Sequence, residues 1–302
     1  MRKRARVILP FMSFVAASLA LAACDVTIGA AEYSVREEKK FAVSGPVQLE
    51  LSTFDGSIEV RGWDRNEVLV EVEKVGPNQA TVDKIQVKAT QNGGRITIDV
   101  PKPSPLETTG IRRAPSANLV VSVPRQTAVT ARSGDGSITI RRVNGNIDVD
   151  TDDGNVRVEE SKGDIIVRTG DGAVDARQIE GGARIDTGDG NIRADGVFKG
   201  LHLETRDGAV DVTARSGSVV ESDWLVTTGD GNVRLELPDG LNADLDAQTA
   251  DGRVEVDKVT GQAGATSQNE EHERSSFRGR LGAGGKAVKV RSGSGSIAAK
   301  VW

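Results

Sequence analysis

The stretch Thr169-Gly170-Asp171-Gly172-Ala173-Val174 returns 18 residues later as Thr187-Gly188-Asp189-Gly190-Asn191-Ile192. A further glycine lies midway between successive Asp-Gly pairs. A glycine therefore recurs every nine residues through the middle of the chain, at Gly136, Gly145, Gly154, Gly163, Gly172, Gly181 and Gly190. The spacing shifts by one residue at Gly200 and resumes at Gly208 and Gly217. A fixed internal period of this kind is typical of a repeat architecture.

The residues two and four places after each glycine are apolar, as in Ile147/Val149 and Ile165/Val167, and the residues between them are mostly polar. This alternation predicts short strands with one buried face. Eighteen residues hold two strands and two corners, which is one coil of an all-β solenoid whose parallel strands stack about 4.8 Å apart. We expect right-handed coils, regular over about residues 131–217. A sandwich or propeller of antiparallel hairpins is disfavoured because the corners recur identically.

Hydroxyl side chains lie three places before each Asp-Gly glycine, on the inward parity of the strand. We expect them to bond backbone groups of the corner and to form a structural ladder of Thr151, Thr169, Thr187 and Thr205. The corner glycines are expected to supply a positive φ angle. On the outward side we expect an ion-pair ladder, worth about 0.2–1 kcal/mol per pair, of Thr139, Arg157, Asp175, Arg193 and Asp211.

The N-terminus is typical of a bacterial export signal. Four basic residues among the first six precede an apolar run, which predicts a signal peptide over residues 1–23. The ending Leu21-Ala22-Ala23-Cys24 resembles a lipobox, which implies that Cys24, the only cysteine of the chain, is the lipid attachment site. By the sorting rule of some Gram-negative lipoproteins, Asp25 implies retention at the inner membrane, with the outer membrane left open. A signal peptide without lipidation is the alternative.

After the signal peptide we expect a lipidated tether over residues 24–40 and one β-solenoid domain over residues 41–302. An early unit, Pro46–Lys74, has the same coil pattern with a longer return. Proline enrichment predicts a loop over Pro101–Ser116. The polar, glycine-rich excursion Gly261–Gly285 breaks the pattern, and we expect it to be a contact region.

The charge of the mature chain limits its partners. Residues 1–23 hold four of the 39 basic residues and none of the 44 acidic ones, so the remainder keeps 35 basic and 44 acidic residues, a formal charge of −9. An acidic protein without a basic patch is a poor nucleic-acid binder. Anionic lipid headgroups would also repel it, which leaves the N-terminal lipid as the expected membrane attachment.

The repeat resembles a bacterial family of exported β-strand-repeat proteins, labelled putative adhesin or domain of unknown function. The resemblance rests on the Thr-Gly-Asp-Gly-x-Ile/Val units and on the ending Phe277–Gly285 followed by Val288–Ile297. It covers roughly residues 40–302 and implies a β-solenoid on the cell envelope. It implies no catalytic residue.

Calcium binding at the Asp-Gly corners is a weak alternative. The calcium-binding β-roll requires a carboxylate where this chain has buried residues such as Ile192. What remains is a column of exposed carboxylates, for which we favour the role of turn former; its members are Asp135, Asp153, Asp171, Asp189 and Asp207. We otherwise expect no metal site and no cofactor.

Catalysis is not expected from the sequence. His202 and His272 are interpreted as isolated residues, and neither a metal-ligand spacing nor a nucleophile motif is present. The predicted function is therefore a non-catalytic, lipid-anchored scaffold or interaction protein of the cell envelope, whose partner is an envelope protein or glycan. A calcium- or polysaccharide-binding module and an envelope-stress accessory protein are the alternatives.

Overall fold

Each half-repeat of the sequence forms one β-strand, and equivalent strands stack on one another. The computed structural model describes residues 24–29, 32–103, 114–259 and 275–302. Its elements are β1 (Cys24–Gly29), β2 (Glu32–Ala42), β3 (Val47–Thr53), β4 (Ile58–Trp63), β5 (Glu67–Gly76), α1 (Gln79–Val82), β6 (Lys88–Asn92), β7 (Arg95–Val100), β8 (Ser116–Pro124), β9 (Thr127–Ser133), β10 (Ile138–Arg141), β11 (Ile147–Thr151), β12 (Val156–Lys162), β13 (Ile165–Thr169), β14 (Val174–Thr187), β15 (Ile192–Thr205), β16 (Val210–Ala214), β17 (Trp224–Thr228), β18 (Val233–Leu237), β19 (Ala243–Thr249), β20 (Val254–Asp257), β21 (Ser275–Leu281), β22 (Ala287–Ser292) and β23 (Ile297–Val301).

The strands form two stacked columns, which we name sheet A and sheet B. The order in sheet A is β6-β7-β3-β9-β11-β13-β14-β15-β17-β22-β19-β21. The order in sheet B is β1-β2-β5-β8-β4-β10-β12-β14-β15-β16-β18-β23-β20. The long strands β14 and β15 belong to both columns because they continue around one corner. Pairing is parallel through the middle of both columns, so the predicted all-β solenoid is confirmed.

The core lies between the two sheets and is continuous from coil to coil. In sheet A, Ile147 pairs with Ile165 and Val149 with Val167, and all four side chains are buried. The same inward parity continues along the stack, so each coil covers the apolar side chains of the next. Because no coil can bury this surface alone, stacking supplies the main stabilisation of the domain.

One side of the coil was not predicted. The end of β12 forms a short third segment between sheet B and sheet A. In it, Ser161 pairs with Ile179 and Lys162 pairs with Glu180 of the next coil. Val143, Ser161 and Ile179 are buried there. The nine-residue period leaves only a few residues for this side, too few to show an alternation of their own.

Both ends of the solenoid have an unexpected order of coils. The first coil, β3 with β4, lies between the later coils β7–β8 and β9–β10. The last coil, β22 with β23, likewise lies between β17–β18 and β19–β20. At the first end, the outer coil β7–β8 therefore contacts the rest of the stack through β3–β4. At the other end, the outer coil β19–β20 contacts the stack through the C-terminal coil β22–β23.

The segment expected as a tether is mostly strand. β1 pairs with β2, and β2 pairs with β5 along ten positions from Tyr33 to Ala42. The residues of β2 from Tyr33 to Ala42 are mostly polar or charged and are half-buried or exposed, which suits the end of a sheet. The predicted signal peptide at residues 1–23, residues 104–113 of the predicted loop and residues 261–274 of the excursion Gly261–Gly285, with His272, lie outside the described residues. The rest of the excursion contains the strand β21.

Candidate functional site

The Asp-Gly corners are joined to one another by a column of hydroxyls. Thr151, Thr169, Thr187 and Thr205 pair in register on consecutive strands of sheet A, and all four are buried. Each later hydroxyl donates a hydrogen bond to the corner carbonyl of the preceding coil: Thr169 Oγ1 to Gly154 O at 3.0 Å, Thr187 Oγ1 to Gly172 O at 3.0 Å, Thr205 Oγ1 to Gly190 O at 2.9 Å and Thr228 Oγ1 to Gly208 O at 2.8 Å. The column therefore fixes the register of the stack.

The expected role of the corner glycines is wrong for the regular coils, although Gly56 at the same corner of the first coil has a positive φ. Among the residues with positive φ in the described chain, none of Gly136, Gly154, Gly172, Gly190 and Gly208 occurs. A Cβ atom built on any of these glycines would instead overlap the backbone carbonyl of the glycine one coil away. The glycine is required by close approach between coils, and the local turn does not require it.

The aspartates beside these glycines lie on the exposed edge of the stack, and Asp189 accepts hydrogen bonds from Arg206 at 3.0 and 2.6 Å. Burial raises the pKa of Asp55 in the first coil, and the neighbouring Asp135 carboxylate adds to the rise. That effect is what a column of like charges produces. The cluster of possible metal ligands in the described chain lies elsewhere and includes none of the calcium candidates Asp135, Asp153, Asp171, Asp189 and Asp207.

The outer face of sheet B is occupied by its own ion pairs. Arg157, Asp175, Arg193 and Asp211 lie one above another in register with Thr139. Arg157 approaches Asp175 at 3.4 Å, and Arg193 approaches Asp211 at 3.5 Å. Each charge in this ladder has a neighbour of opposite sign, so the ladder is paired within itself.

The outer face of sheet A departs from that order. One column runs Asp150, Arg168, Asp186, Glu204 and Thr227 in register. Its signs alternate as far as Asp186, and then a second acid, Glu204, lies directly beside the first. Like charges opposite each other on neighbouring strands are destabilising. Between β10 and β18 the outer face of sheet B has no such contact, so the Asp186–Glu204 pair is an exception in the middle of the stack.

A groove of about 980 Å³ opens over this part of sheet A and spans the strands β11, β13, β14, β15 and β17. Its charged lining has four acids and three arginines, namely Asp150, Asp152, Asp186, Glu204, Arg168, Arg184 and Arg206. Threonines and glycines of the corners complete the wall. We take the groove, with the residues around Asp186 and Glu204, as the candidate functional site.

The interpretation of His202 as an isolated residue is wrong, because this histidine lies close to two carboxylates. It follows Arg184 by one coil, two residues before Glu204, and its ligand nitrogen lies within 4.8 Å of carboxylate oxygens of both Asp186 and Glu204. The signal was present in the period, because adding 18 to residues 184 and 186 gives 202 and 204. His272 lies outside the described residues.

Comparison with known proteins identifies the family. The chain belongs to the family described as Toastrack DUF4097, whose model matches residues 47–300. This confirms the resemblance based on the Thr-Gly-Asp-Gly units. Among functionally curated proteins, none matches the chain. No helix within the described residues is long and apolar enough to cross a membrane.

Three solved structures are similar to the chain at low identity. A putative lipid binding protein from Parabacteroides distasonis is 14% identical, with 87% of this chain and 96% of that chain covered and a TM-score of 0.47. A putative adhesin from Bacteroides fragilis is 10% identical, with 88% and 97% covered and a TM-score of 0.43. A putative cell adhesion protein from Clostridium sporogenes is 12% identical, with 88% and 100% covered and a TM-score of 0.30.

Proposed function

We propose that this chain is a non-catalytic, lipid-anchored scaffold of the bacterial cell envelope that binds a protein partner on the outer face of sheet A. The observation that carries the proposal is the contrast between the two outer faces. In the middle of the stack, sheet B pairs its own charges, whereas sheet A keeps an open groove with two adjacent acids. A regular stack offers such a groove as a rigid, linear surface.

The mixed charge of the groove favours a protein as the occupant. Acids and arginines occur together along the lining, and none of the lining residues is aromatic. Glycan sites are usually built on aromatic platforms, whereas protein partners bring both signs of charge and backbone amides. The groove therefore suits an extended polypeptide segment better than a sugar chain.

The position of Cys24 agrees with such a role. Cys24 begins β1, which lies at the outer edge of sheet B beyond β2 and β5. A lipid on that residue would attach one end of the solenoid to the membrane. The groove lies several coils further along the stack, at about 4.8 Å per coil, so the membrane would leave it accessible.

Photocrosslinking in intact cells tests the proposed binding face. A photoreactive amino acid is placed at Thr227, which lines the groove, and at Thr213, which points outward from sheet B as the matched control. We expect a crosslinked, protease-sensitive product from position 227 alone. Equal crosslinking from both positions, no product from position 227, or a product that only glycan hydrolases remove would contradict the proposal.

Lipid labelling tests the anchor separately. We expect radiolabelled palmitate to be incorporated into the wild-type chain and not into the Cys24→Ser variant, which should become soluble after cell lysis. Asp25→Ser should move the labelled protein from the inner to the outer membrane fraction. Labelling that persists in Cys24→Ser would exclude this residue as the attachment site.

A further inference from the structure

One cluster in the described chain brings together three side chains of the types that bind transition metals. Asp186 on β14 and His202 and Glu204 on β15 each offer one ligand atom, and these atoms lie within 4.8 Å of one another. Asp186 pairs with Glu204 in the strand register, and His202 lies two residues before Glu204 on the same outer face. One imidazole nitrogen and two carboxylate oxygens form a ligand set that zinc accepts.

The cluster also contains an unsatisfied atom. Asp186 Oδ1 is buried and has no hydrogen-bond partner among the described residues. The other oxygen, Oδ2, accepts a hydrogen bond from Arg184 Nε at 3.1 Å. A buried carboxylate oxygen without a partner is costly. Asp186 also pairs in register with Glu204, where the alternation of charge along sheet A fails. A cation bound here would give Asp186 Oδ1 a partner and would neutralise the repulsion between Asp186 and Glu204.

We propose that Asp186, His202 and Glu204 bind a divalent transition-metal ion, for which zinc is the reference. His202 Nε2 and Glu204 Oε2 are 3.8 Å apart. Two ligands of a tetrahedral zinc ion are about 3.3 Å apart when each bond is about 2.0 Å. Partial exposure leaves these side chains free to make the small rotation required, since their exposed fractions are 33% for His202, 58% for Glu204 and 29% for Asp186.

The surroundings set the selectivity and the strength of the site. Arg184 donates a hydrogen bond to Asp186, and Arg168 lies opposite Asp186 on the neighbouring strand. The Arg168 side chain donates its own hydrogen bond to Asp148 Oδ1 at 3.3 Å. These guanidinium groups reduce the attraction for a cation. Calcium prefers six to eight oxygen ligands and gains little from an imidazole. We therefore expect zinc to bind more tightly than calcium, with the remaining coordination position open to the solvent of the groove. This inference shares Asp186 and Glu204 with the proposed binding face, but zinc binding to the isolated protein does not require a protein partner.

Calorimetric titration of the full-length protein in detergent with zinc chloride tests the site. We expect one zinc ion per chain, a rise in melting temperature that a chelator reverses, and a tetrahedral visible spectrum when cobalt replaces zinc. His202→Ala and Asp186→Asn should each weaken zinc binding at least about tenfold. Both positions are on the outer surface, so far-ultraviolet circular dichroism should remain that of the wild type.

Two matched variants control this experiment. His272→Ala removes the other histidine of the chain, and Asp175→Asn removes an outward aspartate of sheet B. Both should bind zinc as the wild type does. Zinc binding that survives in the triple variant Asp186→Asn, His202→Ala, Glu204→Gln, or that is lost in His272→Ala, would overturn the assignment, as would the absence of any zinc heat in the wild type.

Discussion

The two corners of the coil differ in where they use glycine and where they use positive φ. At the Asp-Gly corner, Gly154 and Gly172 have no positive φ, yet neither has space for a Cβ atom. At the second corner, positive φ occurs at three residues other than glycine, Arg142, Glu160 and Gln178, stacked at the 18-residue period, and Gly163 and Gly181 a few residues further on also have positive φ. In a stacked fold, contact between coils can therefore decide where glycine occurs.

The largest expected effect comes from closing the space at the Asp-Gly corner. In Gly172→Ala the new Cβ would overlap the carbonyl of Gly154 and crowd Thr169 Oγ1, so the coils would have to separate. We expect the free energy of unfolding, measured with urea, to fall by about 3 kcal/mol. Gly200→Ala is the control, because the nearest atom to its Cβ is Ser222 Oγ at 3.4 Å. Equal losses in the two variants would contradict the contact argument.

The next effect concerns the hydroxyl column of the same corner. Thr187→Val keeps the shape of the side chain but removes the hydrogen bond from Thr187 Oγ1 to Gly172 O. We expect a loss of about 1–2 kcal/mol in the free energy of unfolding, because the buried carbonyl loses a donor. The same change at the outward Thr139 of sheet B should have little effect. A neutral Thr187→Val variant would show that packing alone sets the register.

The second corner should respond in the opposite direction. Glu160 has a φ of 52°, which costs roughly 1 kcal/mol for a residue other than glycine or asparagine. Glu160→Asn should therefore raise the free energy of unfolding by about 0.5 kcal/mol. Thr130→Asn, on a regular strand of sheet A, should lower it because asparagine is a poor strand former. A destabilised Glu160→Asn variant would indicate that the glutamate has a role beyond the corner.

The middle of the fold could be predicted from the sequence because residues that are one 18-residue period apart lie next to each other on neighbouring coils. Knowing that residue 151 is followed by residue 169 was enough to align the hydroxyl column and the ion-pair ladder of sheet B. The same period places Glu204 one coil after Asp186 and His202 two residues before Glu204, which the interpretation of His202 as an isolated residue leaves out. The groove was also unforeseen, because it depends on side-chain directions in five neighbouring strands.

The ends could not be predicted in this way. The insertion of β22–β23 between β17–β18 and β19–β20 leaves no periodic signal, because the coils that touch are far apart in sequence. Similarly, β2 has the sequence of a polar segment, and its pairing with β1 and β5 makes it a strand. Such arrangements are decided by which exposed edge remains to be covered.

The smallest expected effect returns to the Asp-Gly corner and its column of acids. Burial and the neighbouring Asp135 raise the pKa of Asp55, so its charged form destabilises the folded state at neutral pH. Asp55→Asn keeps an acceptor for the Gly56 amide, and we expect it to raise the free energy of unfolding at pH 7 by roughly 0.2–1 kcal/mol. The gain should shrink as the pH falls through the raised pKa and vanish below the unfolded value of about 3.9. A gain that persists at pH 3 would assign the effect to the corner's conformation instead of its charge.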